Sequence, residues 1–185
     1  MSKAVMLSIR PKWVEKIANG EKTIEVRKTR PKMDTPFKCY IYCTKESACY
    51  DALWVLDAPT REKYSFMAVS AYLENPKGAN KGNGKVIGEF TCDAITRVNI
   101  CGFWDDSGKQ LDNRLKETCL TSEELCDYLG ENVGYGWHIS DLRIYDPLRE
   151  LSEVTGLRNT KFGAEPYDIK RPPQSWCYVE AMKDG

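Results

Sequence analysis

Within six residues the segment "KTIEVR" sets Lys22, Glu25 and Arg27, two cations and a carboxylate. On an extended strand Glu25 and Arg27 point the same way, and such neighbours lie within about 7 Å. A carboxylate accepts hydrogen bonds from exocyclic amines, while Lys and Arg engage phosphate or carbonyl oxygens, the pairing that a nucleobase or nucleotide requires. Arg10, at the end of the preceding apolar run, is a further candidate. The same residues also describe a self-satisfied surface network in which Glu25 pairs with Arg27, the commoner arrangement for i, i+2 charges on a strand. If these residues bind a ligand, replacing Lys22 and Arg27 by Ala is expected to abolish binding and leave thermal stability nearly unchanged, whereas a large loss of stability with binding intact would mark them as structural.

Other candidates lie late in the chain. His138 is the single histidine, and in "YGWHISD" it neighbours Trp137, Ser140 and Asp141, so a His–Asp or Ser–His arrangement is conceivable. A lone strand histidine is more often a packed side chain. Trp137 and Trp176 could stack on bases, although tryptophans are more often core residues. Gln174 and Ser175 follow two prolines and either read a base edge or cap a strand.

The elements that must position these groups follow from periodicity. "AVMLSI" (4–9) reads as a strand buried on both faces. Pro11 opens a short helix over 11–19, with Trp13, Val14, Ile17 and Ala18 at helical spacing and Gly20 as its cap. "KTIEVRK" alternates as a half-buried strand, and "FKCYIYCT" (37–44) is another, with Cys39, Ile41 and Cys43 on one side. Residues 46–73 are expected to hold a helix or two, and "ENPKGANKGNGK" a mobile basic loop. "KVIGEFTCDAITRVNI" reads as one long strand or two joined near Asp93, with Val86, Phe90 and Ile95 in the core. Thr121 and Glu124 form a capping box ahead of Leu125, Tyr128, Leu129 and Gly130. "GWHISDLRIYD", closed by Asp146-Pro147, and "SWCYVEAM" supply late strands.

At 185 residues with 27 basic and 27 acidic side chains, the chain is expected to form a single domain, 1–185, large enough for a core without covalent staples. The charge is polarised. Residues 1–38 carry ten basic against four acidic residues, a net +6, and residues 101–185 carry ten against sixteen, a net −6. The basic end would draw a phosphate-bearing partner unless it packs on the acidic end. Net neutrality argues against strong nonspecific duplex binding. No apolar run approaches the ~20 residues of a membrane span, and the N-terminus lacks a secretion signal, which together point to a cytoplasmic protein. Cys39, Cys43, Cys49, Cys92, Cys101, Cys119, Cys126 and Cys177 read as reduced thiols. Cys39 and Cys43 stand roughly 13 Å apart on a strand, too far to share one zinc ion, and no Cys-x-x-Cys pair exists. "KGNGK" lacks the ending of a phosphate loop. No metal and no cofactor are expected.

The opening "LSIRPKWVEKIANGEKTIEVRKTRP" resembles the ASCH domain family, related to the PUA fold. Gly20, Lys22, Glu25 and Arg27 match its Gly-x-Lys-x-x-Glu-x-Arg pattern in a strand-helix-turn-strand context. "GKVIGEF", "YGWHISDLRIYD" and "RPPQSWCYV" resemble later strands of bacterial and phage members, with about 45–84 as an insertion. The resemblance implies an α+β fold: a small PUA-like β-barrel of five to seven strands with two to four short helices. It also implies an RNA or nucleotide-like ligand in a charged cleft lined by Arg10, Lys22, Glu25, Arg27, Trp137, His138, Ser175 and Trp176. Some members hydrolyse N4-acylated cytidines with a lysine, a threonine nucleophile and a glutamate. Here Lys22 matches the lysine and Glu117 falls near the glutamate, but Glu25 stands where the threonine should be and cannot act as a hydroxyl nucleophile. A Lys22–Glu25 pair polarising water keeps an amidohydrolase as the alternative. A third reading is a phage-type factor sequestering a protein or small ligand through the insertion. The sequence is silent on oligomeric state.

Overall fold

The computed structural model describes residues 2–45, 52–70, 77–111, 114–161 and 163–182; Cys49 and part of the expected helical stretch 46–73 lie outside them. In chain order the first half contains β1 (Lys3–Ile9), α1 (Pro11–Ala18), β2 (Ile24–Arg27), β3 (Phe37–Cys43), β4 (Leu53–Leu56), α2 (Ala58–Arg61), β5 (Ala68–Ser70), β6 (Ala79–Lys81) and β7 (Lys85–Cys92). The second half contains β8 (Ile95–Asn99), β9 (Gly102–Trp104), β10 (Gln110–Leu111), α3 (Leu115–Thr118), α4 (Ser122–Leu129), β11 (Gly134–His138), β12 (Ser140–Glu150), β13 (Thr155–Thr160), β14 (Gly163–Asp168) and β15 (Trp176–Glu180).

These strands form three sheets. The largest has the order β12-β7-β3-β1-β15-β13-β14, the second β10-β9-β8-β11-β2, and the third β5-β4-β6. The architecture is mixed α+β with strands predominating. Each order runs between two different edge strands, so the described sheets are open and the expected barrel closure is not found. The strands also outnumber the expected five to seven, because short hairpins such as β13–β14 and β9–β10 carry little periodicity to read.

The central strands β1 and β3 pair in parallel and are buried on both faces. Val5, Leu7 and Ile9 join Cys39, Ile41 and Cys43 in one core that takes in α1 and Trp137. Ala4 and Met6 join Tyr40 and Tyr42 in a second core on the other face. A third core lies under α4, where Leu125 and Leu129 meet Val26, Val98 and Phe103 of the second sheet. The capping box fixes the start of α4: Thr121 Oγ1 accepts from the Glu124 N–H and Glu124 Oε2 from the Thr121 N–H. Gly20, at φ +76°, supplies the left-handed turn that closes α1.

In the middle of the chain one expectation is met in part and another is overturned. Of the helix or two expected in 46–73, the described residues hold the single turn α2, beside the strands β4 and β5, whose Leu53, Val55 and Ala68 insert into the first core. The expected basic loop contains β6, which pairs with β4 through its backbone and therefore needs no apolar side chains. This small sheet is tied to α1 by Asn19, whose Nδ2 donates to the Ala68 carbonyl and whose Oδ1 accepts from the Met67 and Ala68 amides. Pro147 does not end its strand either. β12 runs through it, and the register shift between Ile144 and Arg149 accommodates the missing donor.

Candidate functional site

β2 owes its position to two neighbours. It pairs antiparallel with β11, so Glu25 lies opposite Trp137 and Arg27 opposite Tyr135. Ile24 and Val26 face the α4 side, where Val26 joins the third core, and the alternate residues Glu25 and Arg27 turn into the seam between the two larger sheets. All four strand residues are buried, so this is not the half-buried strand that alternation suggests.

In that seam three charges converge. Lys22, Glu25 and Arg27 are only 2%, 6% and 8% exposed. Glu25 bridges the cations, with Oε2 3.3 Å from Lys22 Nζ and Oε1 3.1 Å from Arg27 Nη2. Lys22 Nζ also donates to the Thr118 carbonyl at 2.5 Å and sits 5.3 Å from the Trp13 ring. Arg27 Nη2 donates to the Ser8 carbonyl at 2.8 Å, and Nη1 reaches Ser175 Oγ at 3.4 Å. The cluster carries one net positive charge. Replacing Lys22 and Arg27 by Ala would leave Glu25 buried and uncompensated, so the expectation of unchanged stability is corrected: removing one side of a buried pair costs about 3–5 kcal/mol.

Lys22 is held by two acceptors, but its neighbours include donors that have none. Among the described residues, Arg27 Nε and the Trp137 indole Nε1 are buried donors with no hydrogen-bond partner, and Ser8 Oγ, in the residue whose carbonyl Arg27 holds, is a third such atom. Buried polar groups are nearly always bonded, and each orphan costs about 1–3 kcal/mol. Trp137 is 0% exposed, edge-on to Phe37 and 6.0 Å from Trp176, so it cannot offer a stacking face as expected; only its N–H is free. Trp176 is half-buried and donates its Nε1 to Thr29 Oγ1 at 3.0 Å.

Other candidates fall elsewhere. Arg10 is exposed at the N-cap of α1, and the cluster's contacts do not include it. Glu117 turns its carboxylate to Arg114 in a bidentate pair at 2.9 and 2.7 Å, while its carbonyl accepts from the Thr23 N–H. The catalytic grouping of Lys22, Glu25 and Glu117 is therefore not assembled: Glu117 is spent on Arg114. His138 pairs with neither Ser140 nor Asp141; its Nδ1 lies 2.6 Å from Asp93 Oδ1 across the β7–β8 bend. Burial alone would push Asp93 upward, but the His138 hydrogen bond and charge outweigh it and hold the carboxyl below its ordinary value. Burial drives the thiols the other way, Cys92 to about 12 and Cys177 to about 11. No group of three or more His, Cys, Asp or Glu side chains suited to a metal ion occurs among the described residues.

Ser8, Thr118 and Tyr135 escaped the sequence reading. Tyr135 was accessible from the alternation of "YGW" once Trp137 was singled out, whereas Ser8 and Thr118 act largely through carbonyls, which leave no side-chain signal. Beside the cluster, Lys28, Arg30, Lys32, Met33, Asp34 and Tyr135 help line a groove of about 620 Å³.

Fold and site together define a strand-rich α+β protein with a buried, net-cationic cluster at the seam of two sheets. Residues 7–98 match the family model for the ASCH domain, so this chain carries an ASCH domain running from β1 into β8. The fold is similar to that of a crystal structure of ASCH from Zymomonas mobilis, at 16% identity and TM-score 0.52 over 96% of this chain and 87% of that one. A tyrosine-to-phenylalanine mutant of the Zymomonas mobilis protein matches at 15% identity and TM-score 0.53, over 96% of this chain and 90% of that one. No curated protein sequence matches the chain significantly.

Proposed function

We propose that this protein binds RNA or a nucleotide-sized ligand at the Lys22–Glu25–Arg27 cluster. The observation that carries the reading is the pair of buried, unpartnered donors, Arg27 Nε and Trp137 Nε1, beside a desolvated cluster with one net positive charge. Stability does not explain such a cluster, because apolar residues of similar volume are often neutral or better by about 1–4 kcal/mol. A ligand oxygen taking those two donors would complement the surplus charge, and Glu25 retains lone pairs for a base amine. Ser175 Oγ lies 3.4 Å from Arg27 Nη1, and the basic groove of Lys28, Arg30 and Lys32 begins at the residue after Arg27.

Isothermal titration with each of the four ribonucleoside 5′-monophosphates tests this reading. Wild type should bind at least one of them. Arg27→Lys, which keeps the charge but removes Nε and the planar fork, should lose at least about tenfold in affinity while remaining folded. Unchanged affinity in Arg27→Lys would refute the assignment.

A further inference from the structure

Register across the five-stranded sheet places four side chains in one row. Trp104 on β9 lies opposite Arg97 on β8, Arg97 opposite Tyr135 on β11, and Tyr135 opposite Arg27 on β2. Directly opposed residues share a face, and at about 4.8 Å per strand the row is roughly 14 Å long. It alternates ring, cation, ring, cation. The other face of these strands carries Val98, Phe103 and Val26 and is covered by α4, so the row lies on the opposite face, with Arg27 in the seam and Tyr135 against the edge of the first core. Arg97 is exposed, and Trp104 and Tyr135 are half-buried. The Trp104 indole leans along the sheet: a Cβ built on Gly102 would lie 3.6 Å from its Cη2.

The charges around the row favour an anionic polymer. Arg30 lies 5.7 Å over the Tyr135 ring and reaches exposed Asp106 at 3.4 Å, a surface pair that a phosphate can displace at little cost. Lys28 and Lys32 border the same groove, with Asp34 as its acid. A mononucleotide held by the cluster touches only the Arg27 end and makes no use of Trp104. A strand of RNA alternates phosphates with base faces, which matches alternating arginines and rings; in a duplex those base faces are already stacked on one another.

We propose that the row Trp104–Arg97–Tyr135–Arg27 is a track for single-stranded RNA that leads across the sheet into the charged cluster. It rests on the nucleotide-binding reading of that cluster and deepens it, because it makes a strand, and not a free nucleotide, the preferred ligand.

The test compares fluorescence anisotropy of a fluorescein-labelled eight-nucleotide single-stranded RNA with calorimetry of the four monophosphates. Circular-dichroism melts confirm that each variant is folded. Trp104→Ala should weaken RNA binding at least about fivefold, with Trp104→Phe restoring most of it. Arg97→Ala should lower the slope of log affinity against log salt by about 0.7. Neither Ala variant should change monophosphate affinity by more than about twofold. If both bind the RNA like wild type while monophosphates still bind, the track is wrong and the cluster reading stands. A duplex of the same sequence binding equally well also overturns it. Wild type binding neither RNA nor monophosphate overturns both.

Discussion

Glu25→Gln puts the buried cluster to its sharpest structural test. The substitution keeps shape and some hydrogen bonding but removes the only negative charge between Lys22 Nζ at 3.3 Å and Arg27 Nη2 at 3.1 Å. Two cations then face each other at 2% and 8% exposure. Breaking a buried pair from one side costs about 3–5 kcal/mol. For a chain of this length each kcal/mol lowers Tm by about 2–4 °C, so the expected loss is about 6–20 °C. The triple variant Lys22→Met, Glu25→Leu, Arg27→Met removes the charges together. It leaves the Thr118 and Ser8 carbonyls short of a donor, about 1–3 kcal/mol each, against a gain of about 1–4 kcal/mol from apolar filling. Its Tm should therefore lie above that of Glu25→Gln while nucleotide binding is lost. Differential scanning calorimetry at pH 7 reads both. A Glu25→Gln Tm within about 2 °C of wild type, or a triple variant less stable than the single, would show that the charges are not coupled as described.

Three further outcomes follow from the packing and the electrostatics. In thiol labelling at pH 8, exposed Cys101 and Cys126 should react in the folded protein, whereas Cys39 and Cys92, whose thiols burial pushes upward, should stay protected until denaturant is added; rapid labelling of Cys39 in the native state would contradict the central core. Asp57, Asp93, Asp105 and Glu124 are all held below their ordinary values of 3.8 or 4.5, Glu124 chiefly by the Thr121 N–H. Depressed folded pKa values contribute stability that is present above the unfolded values and is lost as pH falls through the folded ones, so urea midpoints should be flat from about pH 6 to 5 and fall below about pH 4. Gly88→Ala should destabilise by well over about 1 kcal/mol, since its Cβ would collide with the Arg143 carbonyl of the adjacent strand β12, and chemical denaturation measures the loss.

Much of the fold was legible where one physical signal dominated. The Pro11 start and Gly20 stop fixed α1 and the Thr121–Glu124 box fixed α4, while of the two readings of 85–100 it is the pair of strands joined near Asp93 that forms. β6, β9, β10 and the β13–β14 hairpin were not legible, because backbone pairing holds them and their side chains carry no regular alternation. Within the site, Lys22, Glu25, Arg27, Trp137, Ser175 and Trp176 do come together at one seam. Their burial was invisible, since alternation in β2 cannot tell a solvent-facing charged side from one enclosed by a second sheet. Partner choice was hidden at His138, which meets Asp93 only through tertiary register, whereas the Arg114–Glu117 pair is a local i, i+3 contact that the spacing allowed.

The indole region of a ¹⁵N spectrum gives the most direct reading of the cluster, because the five tryptophans contribute one N–H each and phenylalanine substitutions assign them. On addition of the monophosphate that binds, the Trp137 indole resonance, unpartnered in the free protein, should move downfield as it gains an acceptor, and the Trp104 resonance should stay in place. A bound ligand that leaves Trp137 unmoved would contradict the account.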